Sequence, residues 1–410
     1  MRRREAMTGL ALLTLTAACG RPRESVRVVV IWSGSELSRF RSVLAPFVRG
    51  GVDVGVRSAG NDLDALIANR VARTAVPDVA LIQSPAMVDA HRDRLTPLPP
   101  ARGIPASWAD LLARDGTNYG VWFKAAHKSL VWYRRDRLGG DQAATWDQWV
   151  DLCRAMAASG HPPLALGAAD GWVLTDWFEN ALLSVDPEVY RALVGGAPLW
   201  THPRVREALR RVGEVWAIPG AFPGGPRRAL LIQFDQAVLD VFRHGRAAML
   251  VGADFDHPVI EQFGSAPAGW FRFPCREGEK RSLIVGGDAA VLLNRHSDAG
   301  RELIAWLATP RAADIWARAG GFLSVNPAVK DYPPDLAALA DQVRAETTTG
   351  QGPAFDLSDQ LGGRLTGSDG RGTWKIFQDF FAGVAIHRTP LDVAVTRTCE
   401  RLAAEQEASS

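Results

Sequence analysis

From residue 26 onward the chain alternates between two hydrophobic periods. Val26 to Trp32 (VRVVVIW) is a nearly continuous apolar run, the pattern of a strand covered on both faces. Leu37, Phe40, Val43, Leu44 and Phe47 then repeat at three and four residues, which predicts an amphipathic helix. Val52, Val54 and Val56 alternate as a strand, and Asn61 or Asp62 can cap a helix carrying Leu63, Leu66, Ile67 and Val71. Pro77-Asp78 leads into another buried strand, Val79 to Ile82. This βαβαβ series predicts an α/β fold with a parallel sheet and right-handed crossovers. Ligands of such sheets sit outside the carboxyl ends of the strands, here Ser33 to Glu36 and Gln83 to Pro85.

With 410 residues, 47% of them hydrophobic, the chain is long enough for two domains with their own cores. Lys plus Arg number 47 against 45 Asp plus Glu, so no field of one sign favours nucleic acid or another polyanion. The N-terminus carries a signal: Arg2 to Arg4, the apolar stretch Gly9 to Leu15 (GLALLTL), then Thr16-Ala17-Ala18-Cys19. The apolar stretch falls short of the roughly 20 residues that span a bilayer. We therefore expect residues 1–18 to be a signal peptide, Cys19 to be lipidated and 19–25 to tether the protein to the outer face of the membrane. The departure is Thr16, where such sites usually carry Leu. Cys153, Cys275 and Cys399 lack metal-ligand spacing, so at most one disulfide is expected, buried thiols are the default, and no metal or other cofactor is implied.

The βαβ opening raises the possibility of a nucleotide-binding enzyme, but neither GxGxxG after the first strand nor GxxxxGK[ST] is present, and HExxH and GxSxG are also missing. Asp176 and Glu179, three apart on a predicted helix, could in principle serve a surface glycoside hydrolase. That spacing is also common in any solvated or capping turn.

The ordered motifs WSGSELSRF (32–40), PDVALIQSP (77–85), KSLVWY (128–133), TWDQW (145–149), GWVLTDWFEN (171–180), GRAAML (245–250), GGDAAVLL (286–293), WARAGGFLSVN (316–326), FDLSD (355–359) and TWKIFQDF (373–380) carry a resemblance. From about 26 to 390 the chain resembles family 1 extracellular solute-binding proteins of carbohydrate ABC transporters, particularly the alpha-glucoside-binding branch. The resemblance implies a maltose-binding-protein-like clamshell of type II with three hinge crossings, expected near His127–Leu130, Leu283–Gly286 and Ser324–Pro327. Lobe 1 is then 26–127 plus 284–325, and lobe 2 is 128–283 plus 326–410. It also implies a monomer that captures a sugar, hands it to permease subunits and catalyses nothing. A polypeptide or polyamine receptor is another use of the same fold.

The 14 Trp agree with a sugar, since an indole offers a flat apolar face and an N–H donor. The resemblance places Trp172 and Trp374 where the family stacks sugar rings, whereas Trp306 and Trp316 sit at helical spacing in an apolar stretch and are expected in the core. Hydroxyl groups need carboxylates and amides. The expected polar set is Ser33 and Glu36 after the first strand, Ser84 after the third, His127 and Lys128 at the first crossing, Asp176, Asp254, and Gly287 and Asp288 at the second crossing. Asp78 and Asp356 are assigned to structure, as backbone-bonding residues at turns.

Overall fold

The opening apolar run forms strand β1 (Ser25–Val30), whose side chains divide between two cores: Val26, Val28 and Val30 on one face, Val29 on the other. Helix α1 (Gly34–Arg49) buries Phe40, Val43 and Leu44 against the first of these cores. Strands β2 (Asp53–Ser58) and β3 (Val79–Ile82) both pair with β1 in parallel, as the alternating pattern predicts. The computed structural model describes residues 24–68, 77–138, 145–347, 353–366 and 371–409; the leader, Cys19 and Val71 lie outside the described residues.

The first sheet continues in β4 (Gly120–His127), and after two residues β5 (Leu130–Arg134) opens a second sheet with β6 (Leu164–Ala165), β7 (Met249–Gly252) and β8 (Ala268–Arg272). The chain then returns to the first sheet in β9 (Ile284–Leu292) and β10 (Ala354–Phe355). The first sheet runs β10-β9-β3-β1-β2 with β4 along the remaining edge of β9, and the second runs β8-β5-β7-β6. One core packs on the first sheet, another mainly on the second, and a third joins residues of both, so the molecule has two α/β lobes in apolar contact.

The second lobe packs around tryptophan. Helices α2 (Trp146–Ala158), α3 (Trp172–Val185) and α4 (Pro203–Trp216) bring Trp149, Trp177 and Trp216 together, with ring centroids 5.4 Å and 6.0 Å apart in succession. The TWDQW motif starts α2 with a capping box, Thr145 and Gln148 each bonding the other's backbone N–H. Eight of the 14 tryptophans are fully buried, so their abundance reports cores before it reports a ligand. Cys153, Cys275 and Cys399 are buried, unpaired thiols. Past β7 follows α5 (His257–Phe263), and after β9 come α6 (Asp298–Leu307) and α7 (Pro310–Ala317), with Trp316 in the core as expected and Trp306 half-buried, its indole N–H on the Val43 carbonyl at 3.0 Å.

The third crossing falls later than Ser324–Pro327. Leu323 bridges to Ala125 of β4, α8 (Pro334–Thr347) packs on β4, and β10 extends β9, so residues 326–347 and 353–355 stay with the first lobe. Only at Leu357 does the chain enter the second lobe's core. The period-3.6 pattern of 334–347 fixes a helix but not the lobe it covers. All three connecting segments lie side by side: Lys128 N–H donates to Ile284 O at 2.9 Å, Ile284 N–H to Ser129 Oγ at 2.8 Å, and Asp356 N–H to Val285 O at 2.8 Å. At the far rim the lobes meet where Gly320 and Gly321 face His257 and Pro258; a Cβ on Gly321 would lie 2.2 Å from the proline ring.

Gly287 sits in the middle of β9 rather than at a turn, and its φ is not positive. Glycine is required there by close approach: a Cβ would lie 2.6 Å from the Lys124 carbonyl oxygen and 3.1 Å from the rings of Trp108 and Trp122. Gly287→Ala is therefore expected to cost about 1–3 kcal/mol of stability by overpacking, read as a lower unfolding midpoint; an unchanged midpoint would show that the sheet yields freely.

Candidate ligand-binding cleft

Between the lobes lies a cleft of about 790 Å³, and its two walls differ in chemistry. The first lobe contributes Ser33, Gly34, Ser35, Glu36 and Arg39 from the start of α1, Gln83 after β3, Lys124 of β4, and Gly286, Gly287 and Asp288 of β9. The second contributes Trp172, Phe234, Phe255, Phe263 and Trp374, together with Ser358 and Asp359. The residues following β1 and β3 thus reach the cleft where the topology places a ligand. Trp374 lies in α9 (Gly372–Phe381), and Gly171, at φ 59°, lets it approach Trp172: a Cβ on Gly171 would stand 2.7 Å from Trp374 Cβ. Trp172, Phe234 and Phe255 pack edge-on or tilted with centroids 5.4–6.0 Å apart, forming one continuous aromatic surface.

The first turns of α1, α3 and α9 all line this cleft, and none has a side-chain cap at Ser33, Gly171 or Arg371. Their early backbone N–H groups are therefore donors without an intrahelical partner. Donors from helix starts and acceptors from carboxylates and Gln83 share one cavity, which suits groups that both accept and donate.

Two lysines anchor the floor. Lys124, almost wholly buried in an otherwise apolar strand, places Nζ 2.5 Å from Glu36 Oε1 and over the rings of Trp316, Phe255 and Trp32 at 5.1, 5.5 and 5.8 Å. Burial alone would lower its pKa, but Glu36, Asp288 and Asp254 outweigh it and hold the ammonium charged. Lys128 bonds Asp356, lies 3.4 Å from Asp176 Oδ1 and sits 5.5 Å over the Trp172 ring. Desolvation opposes its charge too, and Asp176, Asp356 and Asp359 overcome it. Asp356 is held below the ordinary carboxylate range because Lys128, Ser358 and the Asp359 N–H offset its burial. Desolvation together with Asp356 pushes Glu179 and Asp359 well above it. Burial likewise lifts Asp288 and Asp254 to about 7 against the pull of Lys124.

Of the residues singled out from sequence, Ser33, Glu36, Lys128, Trp172, Gly287, Asp288 and Trp374 line the cleft. Ser84 lines a side chamber of about 50 Å³ beyond Trp374, its hydroxyl bonded to the Asp359 carbonyl. Asp176 lies behind Trp172 on a chamber of about 10 Å³. His127 and Asp254 do not line the cleft. The His127 ring is buried toward α8, with Nε2 3.2 Å from Gln342 Oε1, and burial drives its pKa down to about 3. Alternation along β4 explains this, since Lys124, Ala126 and Lys128 take the cleft side. Asp254 is spent joining the lobes, its Oδ1 accepting the His127 N–H at 2.7 Å. Asp78 is structural, bonding Arg27 N–H and Asn294 Nδ2, but Asp356 also holds Lys128 at the site. Gln83 reaches the cleft at the strand end where the topology predicts a ligand, but sequence reasoning missed Lys124, Arg39, Phe255 and Asp359. Only Lys124 carried a signal, a charge inside the apolar run GVWFKAAH.

The sequence profile of the bacterial extracellular solute-binding proteins matches residues 33–212. An osmoprotective compounds-binding protein, GgtB of Synechocystis, is 28% identical over 413 residues, spanning 91% of this chain and 94% of that one. An alpha-glucosides-binding periplasmic protein, AglE of Rhizobium meliloti, is 27% identical over 390 residues, spanning 86% and 82%. The chain is thus similar in sequence to bacterial extracellular solute-binding proteins along most of its length. The fold agrees with that similarity: the solute receptor AcbH superposes with a TM-score of 0.77 at 15% identity over 95% of this chain and 99% of that one. RafE in complex with raffinose gives 0.74 at 16% identity over 93% and 99%. The two-lobed architecture of those structures is thus present over the described residues.

Asp288 provides a test of the floor's electrostatics. Its carboxyl titrates at about 7 in the fold against 3.8 ordinarily, so the native state holds the extra proton between those values and stability falls as pH rises through them. Asp288→Asn keeps an acceptor for Trp32 but removes that dependence. Its unfolding free energy relative to the parent should rise by on the order of 1–3 kcal/mol from about pH 4.5 to about pH 7.5; a difference flat with pH would refute the assignment.

Proposed function

We propose that this protein captures a sugar or oligosaccharide, of the alpha-glucoside class, and delivers it to an ABC import permease. The observation that carries the reading is the asymmetry of the cleft: an aromatic wall of Trp172, Phe234, Phe255 and Trp374 opposite a wall of Glu36, Lys124, Gln83 and Asp288. A pyranose presents an apolar C–H face and a rim of hydroxyls that both donate and accept, so it matches each wall in turn. The alpha-glucosides bound by AglE and the raffinose held by RafE support the same class of ligand. Ser33, Glu36, Lys124, Lys128 and Asp288 are the proposed polar contacts. Binding closes the lobes about the crossings at 128–129, 273–283 and 356.

The hydrolase reading draws little from this geometry. Asp176 and Glu179 bring carboxylate oxygens within 4.8 Å of each other and of Asp356. Yet Glu179 is taken up by the N–H groups of Leu357 and Ser358 and the Tyr190 hydroxyl, and neither residue lines the main cleft. The protein is proposed to act as a non-catalytic monomer without a cofactor, held outside the cell by a lipid on Cys19. Cys19→Ala is expected to move it from the membrane to the soluble fraction, because the acyl chains supply nearly all the attachment; a variant that still sediments with membranes excludes the anchor.

Titration calorimetry against maltose, trehalose, sucrose and raffinose tests the ligand class, with stoichiometric binding and no product expected. For whichever sugar binds, Trp172→Ala and Trp374→Ala should each weaken it by about 1–3 kcal/mol, roughly tenfold to a hundredfold. A lowered unfolding midpoint with unchanged affinity would assign both rings to packing instead.

A further inference from the structure

The charges around the cleft are unevenly matched. Its three cationic side chains are all engaged: Arg39 with the Gly320 carbonyl at 2.9 Å, Lys124 with Glu36, and Lys128 with Asp356 and Asp176. Asp235, Asp288 and Asp359 also line the cleft, and among the described residues none of their carboxylates has a cationic side chain within 4.0 Å. Asp359 is the clearest case. It is only 7% exposed, and its backbone is fixed by Asp356 and Ser84. Its carboxylate opens onto the cleft with no hydrogen-bond donor among the described residues.

Asp359 and Asp288 lie within electrostatic reach of each other, and Trp374 stands beside Asp359 on both the cleft and the side chamber. Carboxylates converging beside aromatic faces are the surroundings that recognise an ammonium group. We propose that the cleft selects a polyhydroxylated ligand carrying a protonated amine, seated between the Asp288 and Asp359 carboxylates against the tryptophan wall. This rests on the carbohydrate reading and narrows it to amino sugars. Burial first, with Asp356, Asp176 and Asp288, outweighs Lys128 and raises the Asp359 carboxyl well above the ordinary carboxylate range. An ammonium seated beside the carboxyl lowers its pKa again, so binding of an amine releases the proton fraction that the carboxyl holds, where binding of a neutral sugar does not.

The test is calorimetry on the full chain with matched pairs, glucose against glucosamine and trehalose against trehalosamine, each in two buffers of different ionisation enthalpy, and with calcium chloride alone. The amine member of a pair should bind at least about tenfold more tightly near neutral pH, equivalent to ~1.4 kcal/mol, and should release protons. Asp359→Asn, shown to be folded by its unfolding midpoint, should erase the preference; Asp288→Asn serves if that variant does not fold. Equal or tighter binding of the neutral member overturns the proposal and leaves the carbohydrate reading standing. Binding of neither member overturns the amine proposal, and the carbohydrate reading falls with it only if maltose, sucrose and raffinose also fail to bind. Calcium binding that Asp359→Asn abolishes assigns the carboxylates to a metal ion and overturns the amine.

Discussion

Burying an ammonium group is tolerable only where carboxylates replace the water it loses, and this protein does it twice at the place where its lobes meet. Lys124 and Lys128 lie four residues apart, one inside β4 and one just past its end, so both reach the cleft floor from one edge of the first sheet. Their partners come from elsewhere: Glu36 from the start of α1, Asp288 from β9, Asp176 from α3 and Asp356 from the return to the second lobe. Removing either lysine would leave several buried carboxyls without a counter-charge. The ion clusters therefore tie the position of the helix start, two strands and the third crossing to one another.

Around that floor the two lobes have separate tasks. The second lobe devotes most of its tryptophans to its own core and offers only the edge of that aromatic mass, Trp172 and Trp374, to the cleft. The first lobe offers strand ends and an uncapped helix start, which present backbone donors and charged side chains. Aromatic surface and most of the charged cleft side chains thus lie on opposite lobes, with Asp235 and Asp359 the acidic exceptions on the second.

Much of this was legible in the sequence because it is local. The apolar run of β1, the period of α1 and the alternation of β2 each dictate an element, and their order dictates the parallel sheet. The positions after β1 and β3 reached the cleft for the same topological reason. What was not legible depends on contacts between distant segments. His127 looked like a cleft residue because it adjoins Lys128, yet strand alternation turns it to the opposite face, where Gln342, 215 residues on, receives it. Asp359 gave no sign of itself, because its exposure to the cleft is set by a 275-residue contact with Ser84. Helix 334–347 has a clear amphipathic pattern, but no pattern states which lobe will cover its apolar face.

At the glycine pair 320–321 the first lobe meets His257 and Pro258 of the second with no side chain of its own between them. The pyrrolidine of Pro258 occupies the space that a side chain on Gly321 would fill. The two surfaces therefore approach to the thickness of bare backbone, and a single methyl group at 321 would have to push the proline ring, and the helix that carries it, away.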